Sequence, residues 1–270
     1  MIFKVDYHFH PNLPKSVRRA RSKCRRWWQE LEKNGVNVVI STEHCYKNPE
    51  RAFSFLKKEK PDNCWVFPGV EYLTKEGADV IIFSDRPDFY QYKELTPFNL
   101  TYEETVNFVK KNGLFSFIAH PHTLGFSSVI KKLGKESYLQ FSNQLGAVEI
   151  ANSSFNNLYL FLNKPFLKIF FRKKIRQIEK VKKVPGEDYP EKIKFLAAGS
   201  DAHHIKETGA CVIIETEPEN LFEKIVSNQE PVLIEKSTEK INYLLLAKSA
   251  LTSFREFSKK KKIIIKNALK

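Results

Sequence analysis

FKVDYHFH, residues 3–10, carries apolar side chains at every second position and ends in two histidines one residue apart. The alternation predicts a β-strand over Phe3–Phe9. The pleat turns both imidazoles of an H-x-H the same way, so His8 and His10 can grip one ion. Outward from this stretch the pattern repeats. A helix is predicted over Lys15–Asn34, stopped by Gly35, and VNVVIS at 36–41 reads as a buried strand. Helices are further expected at Pro49–Lys60, at Thr101–Asn112 with a Thr101/Glu104 capping box, within 125–144, over 154–183 with a break at Pro165, and at Pro218–Asn228. Strands are expected at Trp65–Tyr72, Val80–Ser84, Leu114–Ala119, Ala147–Ile150, Phe195–Ala198 and Cys211–Ile214. Strand–helix alternation with apolar strands implies an α/β fold with a mainly parallel sheet. Periodicity leaves open whether that sheet is flat or closed. The chain divides into a main domain, 1–230, and a basic, helical appendage, 231–270.

The 270 residues are 42% hydrophobic and 13% aromatic, enough for a full core and contrary to disorder. No apolar run approaches the roughly 18 residues of a spanning helix. The N-terminus, MIFKVDYHFH, lacks a basic region followed by an apolar one, so no secretory signal is expected. Cys24, Cys45, Cys64 and Cys211 are scattered, with no C-x-x-C, as in a reduced, cytoplasmic protein.

The net charge of +14 is uneven. Residues 15–33 carry +6, residues 163–183 carry +8 and residues 248–270 carry +7, so the remainder is acidic. A basic periphery suggests a nucleic acid or an anionic membrane surface as a partner. Segment 155–183 places aromatic and aliphatic residues before a basic run, compatible with an interfacial helix; a helix covering the sheet is the plainer reading.

All seven histidines sit at or just beyond the ends of predicted strands: His8, His10, His44, His120, His122, His203 and His204. Parallel α/β folds build their sites at the carboxyl ends of the strands, so these rings are expected to converge. Acids accompany them: Glu43 before His44, Glu71 in PGVEY, Glu149 in VEIAN, and Asp201 before His203 in GSDAH. Imidazole and carboxylate suit Zn, Mn or Fe, and a carboxylate can join two ions, as one imidazole cannot. A multinuclear hydrolytic site fits this mixture better than a structural zinc. His204, adjacent to His203, should diverge from it.

The order H-x-H (His8, His10), acid–His (Glu43, His44), G-x-E (Glu71), A-H-P (His120) and G-S-D-A-H (Asp201, His203) resembles the polymerase and histidinol-phosphatase (PHP) superfamily, from Tyr7 to about Ile214. Glu149 and Asn152 resemble its associated C-terminal region. The resemblance implies a distorted (β/α)7 TIM-like barrel with two or three divalent metals at the C-terminal ends of its strands. One ion would take His8, His10, Glu71 and Asp201; Glu71 would bridge to a second held with His120; a third would take His44 and His203. This chain departs from the pattern at Lys15 and Ser16, where an Asp or His is usual, and has no further His between Glu71 and His120. His122 or Glu149 would compensate, and Glu43 stands where Asp is common.

The expected function is that of a metal-dependent phosphoesterase, hydrolysing a phosphate ester with a metal-activated hydroxide. His203 or His204 would protonate the leaving oxygen, and Lys15, Arg18 or Arg19 would clamp the phosphate. A nuclease, a membrane-surface protein and an inactive metal-binding protein are the alternatives. No glycine-rich phosphate loop, G-x-S-x-G elbow or dinucleotide fingerprint is present.

Overall fold

The computed structural model describes residues 1–122, 128–154 and 156–234, with Ser258, Lys259, Lys262, Ile263 and Lys266 near the C-terminus. Among the described residues nine strands form one sheet: β1 (Ile2–Phe9), β2 (Val38–Ser41), β3 (Trp65–Leu73), β4 (Asp79–Phe83), β5 (Phe115–Ile118), β6 (Ala147–Asn152), β7 (Phe195–Gly199), β8 (Cys211–Glu215) and β9 (Val232–Ile234). Among the described residues the α-helices are α1 (Val17–Lys33), α2 (Pro49–Lys58), α3 (Tyr102–Lys111), α4 (Val129–Leu145), α5 (Asn156–Leu162), α6 (Pro165–Lys182) and α7 (Leu221–Ile225). The capping box forms as expected, with Thr101 accepting from the Glu104 amide. The break at Pro165 separates α5 from α6. None of the described helices is long and apolar enough to cross a membrane. Of the expected appendage, Val232–Ile234 pair with β8; apart from a few positions the rest lies outside the described residues.

The sheet order is β7-β6-β5-β4-β3-β2-β1-β8-β9, curled into a nearly closed barrel. The (β/α)7 expectation is corrected in strand number and direction. β4 runs antiparallel to both β3 and β5, and β8 antiparallel to β1. The physical cause at β4 is its short connection. Residues 74–78 turn tightly, with the Thr74 amide donating to Ala78 O and Gly77 at φ 80°. Such a turn can join only antiparallel strands, because a parallel return needs a crossover.

The barrel is filled by rings. Tyr7, Phe83, Phe117 and Phe195 pack inside it with centroids 5.9–6.3 Å apart, and Tyr7 Oη donates to Ile225 O. Small residues (Ala147, Ala151, Ala197 and Ala198) occupy the same interior on β6 and β7. Outside, α3 and α4 cover one side of the sheet, and α1 and α2 cover another through Trp27, Trp28 and Leu56.

The second edge of β1 is shared. β8 pairs with its first half, and the chain just after β7 meets its second half. At that seam the Ser200 amide donates to Asp6 Oδ1 (2.9 Å), and the Asp201 amide to His8 O (2.7 Å). A methyl group on Gly199 would lie 2.3 Å from His8 Cβ and 2.7 Å from its amide nitrogen. Gly199→Ala is therefore expected to lose about 1–3 kcal/mol in urea unfolding, because backbone must shift to admit it. Gly186→Ala, with nothing within 4 Å of the added atom, should stay within about 0.5 kcal/mol of the parent.

Candidate metal centre

The pairing register of β1 against β2 slips between Asp6 and Phe9. Such a bulge re-aims side chains. Below it Phe3, Val5 and Tyr7 point into the barrel; above it Phe9 turns outward onto Trp27 (centroids 4.7 Å), and His8 and His10 face the mouth. A second slip, on β6 between Glu149 and Ala151, lies beside β7. Two residues of the site, His120 (φ 28°) and Asp201 (φ 47°), hold left-handed backbone that is unfavourable for any side chain but glycine. Surrounding hydrogen bonds hold them there: the His120 amide donates to Glu149 Oε2 (2.6 Å), and the Asp201 amide is tied at the seam.

Five imidazoles converge. His8 Nε2 lies 2.9 Å from His10 Nε2, and His44 Nε2 lies 3.2 Å from His203 Nε2. Glu71 sits among three rings from three separate segments. Its Oε1 is 3.3 Å from His120 Nε2, its Oε2 is 3.5 Å from His10 Nε2, and the same Oε2 contacts His44 Nδ1. The chain after β2 continues to pair with β3 at His44 and Glu71, which fixes both. Asp201 Oδ1 lies 3.3 Å from His10 Nε2, 3.6 Å from His203 Nδ1 and 3.7 Å from His8 Nε2.

Glu149 and Glu43 stand behind the rings. Glu149 Oε1 is 3.0 Å from His8 Nδ1, leaving His8 Nε2 turned to the cluster. Glu43 accepts from the Asn12 and His44 amides, pairs with Lys47 (3.2 Å), and lies 3.8 Å from His10 Nδ1. Carboxylates placed behind imidazoles orient them and raise their basicity. The structure does not bring His122 to the cluster: its Nε2 meets Asp188 at 2.8 Å, and Lys135 closes the other side of that carboxylate. His204 also diverges and lines an open pocket of about 670 Å³ with Ser16, Arg18, Arg19, Lys23 and Arg26; Lys15 does not line it.

Two acids were not singled out by the strand-end pattern. Asp79 Oδ2 lies 4.0 Å from His120 Nε2. It is the first residue of β4, and the reversed direction of that strand brings its N-terminal end to the mouth. Asp6 is buried beneath the cluster and accepts from the amides of His8 and Ser200; burial raises its pKa to about 7 against those bonds. An acid inside the apolar run of Phe3–Phe9 was the available signal.

The donor set fits divalent metal. Ligand atoms about 2.0–2.1 Å from one ion stand roughly 3.0–3.4 Å apart, close to the separations here. Groups of donors within 4.8 Å of one another are His10–His44–His203, His8–His120–Asp201, His8–His10–Glu71 and Glu71–Asp79–His120. The first two share no residue, so the side chains suffice for two ions. Nδ1 of His10 and of His120 are buried with no hydrogen-bond partner among the described residues.

Protons otherwise balance the charge. Burial disfavours the charged form of His10, but the Asp201, Glu43 and Glu71 carboxylates around it outweigh this and raise its pKa to about 10. His120 is raised to about 9, where Glu71 and Asp201 outweigh burial. Burial lowers His44 to about 3 and also lowers His203. Burial opposes the ionised form of Asp201, yet His8 and His10 hold its pKa well below the carboxylate range.

No family model matches the sequence, and no curated protein matches it. Among solved structures, the chain superposes on PsfC from Pseudomonas syringae PB-5123 with a TM-score of 0.60 and 14% identity, over 93% of this chain and 97% of that one. It superposes on the lesion-specific endonuclease PfuEndoQ from Pyrococcus furiosus with a TM-score of 0.50 and 14% identity. That match covers 86% of this chain and 58% of the endonuclease. At this identity the likeness is one of fold.

Metal uptake by chelator-treated protein at pH 7 should release protons, because His10 and His120 hold theirs there and must lose them to become ligands. Calorimetric titration with Zn²⁺ in buffers of different ionisation enthalpy should show it, with affinity rising from pH 6 to 8. A heat independent of buffer would place those rings outside the binding set.

Proposed function

We propose that this protein is a metal-dependent phosphoesterase of the PHP type, holding two or three divalent ions (Zn, Mn or Fe). The observation that carries the reading is the buried Glu71 carboxylate, which faces imidazoles with both oxygens, the arrangement a bridging ligand needs. His8, His10, His44, Glu71, Asp79, His120, Asp201 and His203 would hold the ions. Bound there, divalent ions supply an activated water at neutral pH and neutralise charge on the phosphoryl oxygens.

The chain's own groups complete the site. Glu149 and Glu43 keep His8 and His10 turned inward. Lys47 and the Asn12 amide keep Glu43 ionised, its pKa held low despite burial by His10 and Lys47. His203 is engaged with His44 and Asp201, so His204, which lines the pocket, would be the ring that protonates a leaving oxygen. Arg18, Arg19 and Arg26 line the pocket and form no ion pair with a described residue, whereas Arg21 and Arg25 share Glu59 on another face of α1. Arginines without internal partners beside a metal centre suit phosphate.

That pocket also favours a second reading, a nuclease, since its cations would seat a phosphate neighbouring the scissile one. The fold shared with a protein described as a lesion-specific endonuclease accords with it.

Zn- or Mn-loaded protein assayed on aryl phosphate mono- and diesters and on end-labelled DNA and RNA separates the readings. Glu71→Gln should lower activity at least about a hundredfold while unfolding as the parent does, since the loss falls on charge stabilisation. Arg18→Ala/Arg26→Ala should raise KM for nucleic acid about tenfold and leave aryl esters unchanged if the substrate is a polyanion. A fully metal-loaded protein inactive on every ester would overturn the phosphoesterase reading.

A further inference from the structure

The first two turns of α6 are exposed. From Lys164 to Lys174 every residue is exposed except the half-buried Leu167; burial resumes at Ile175, Ile178 and Val181, which anchor the helix. The backbone kinks at Phe171 (φ −113°, ψ 20°), dividing the projecting half from the anchored half. Phe166 is 73% exposed, Ile169 64%, Phe170 69% and Phe171 43%. Helical spacing puts Phe166, Ile169 and Phe170 on one face, and the rings of Phe166 and Phe170 meet edge-on at 5.5 Å. Scattered exposed apolar residues are ordinary, but four within six positions form a patch that calls for an occupant.

The charge around the patch names it. Lys168, Arg172, Lys173, Lys174 and Arg176 surround these residues, and no acid occurs between Lys164 and Ile178. A second copy of the chain would bring the same cations face to face. A nucleic acid would satisfy the cations and stack on the rings, but would leave Ile169 and Leu167 against polar backbone. An anionic bilayer satisfies both halves: acyl chains accept the rings and the isoleucine, and headgroup phosphates meet the cations.

We infer that the projecting half of α6 is an interfacial anchor for anionic phospholipid, with Phe166, Ile169 and Phe170 inserted and the flanking lysines and arginines at the headgroups. The helical hairpin leaves the sheet after Asn152 and returns where Lys183 bridges Ala151, beside Glu149. The anchor therefore springs from the same rim as the metal cluster. It acts on where the protein resides and is independent of the reaction assigned above.

The test is flotation of the full chain with phosphatidylcholine vesicles, with and without about one-third phosphatidylserine, at low and at physiological salt. Binding to the anionic vesicles alone is expected. The triple variant Phe166→Ser/Ile169→Ser/Phe170→Ser should bind about tenfold more weakly or worse, with unchanged thermal unfolding, because the three side chains are already in solvent. No binding by the parent at low salt would overturn the inference. So would binding undiminished in the triple variant, which would assign it to other basic segments. A variant that loses DNA binding while keeping vesicle binding would assign the patch to nucleic acid and equally overturn it.

Discussion

Five imidazoles and six carboxylates meet beneath the mouth of the barrel, and their charges must balance out of reach of water. An unbalanced charge in such a place is expensive. In the protein alone the balance is struck with protons: His10 and His120 hold theirs, while His44 and His203 are driven neutral. Asp201 and Glu43 remain ionised against their own burial because the rings around them carry positive charge. Cations in the same place would do the work of those protons with fewer contradictions, since every ring could then be neutral and every carboxylate charged.

The irregular backbone follows from this requirement. A regular β1 would have left His8 facing outward with the residues that cover α1, and the bulge exchanges it with Phe9. His120 and Asp201 occupy left-handed conformations that only a determined surrounding maintains. Asp6 stands beneath them, joining the amides of His8 and Ser200 across the seam. The rings are thus fixed from the backbone side as well as by the carboxylates behind them, so little reorganisation separates the protein alone from a ligand-ready state.

Much of this was legible in the sequence. Apolar runs ending in histidine or acid marked the strands and the rim of the site, and His8, His10, His44, His120 and His203 do converge. What periodicity could not show was direction. The β3–β4 turn and the reversal of β8 depend on connection length and pairing, and with the direction of β4 went Asp79, which begins a strand instead of ending one. His122 had the right spacing from His120, but the chain turns at Pro121 and Asp188, far along the sequence, captures its ring. Glu43 and Glu149 were visible as acids near histidines; that they stand behind the rings instead of between them is a matter of three-dimensional order alone.

The seam between β1 and β7 has a consequence for how the molecule comes into being. Asp6 and Ser200 are 194 residues apart, and His8 meets Glu149 across 141. Contacts between such distant positions form late, after the loop between them has been closed. His8 and His10 cannot be enclosed until segments nearly two hundred residues further along the chain have folded against them. Enclosure of the histidine cluster and completion of the fold are therefore bound to the same late moment.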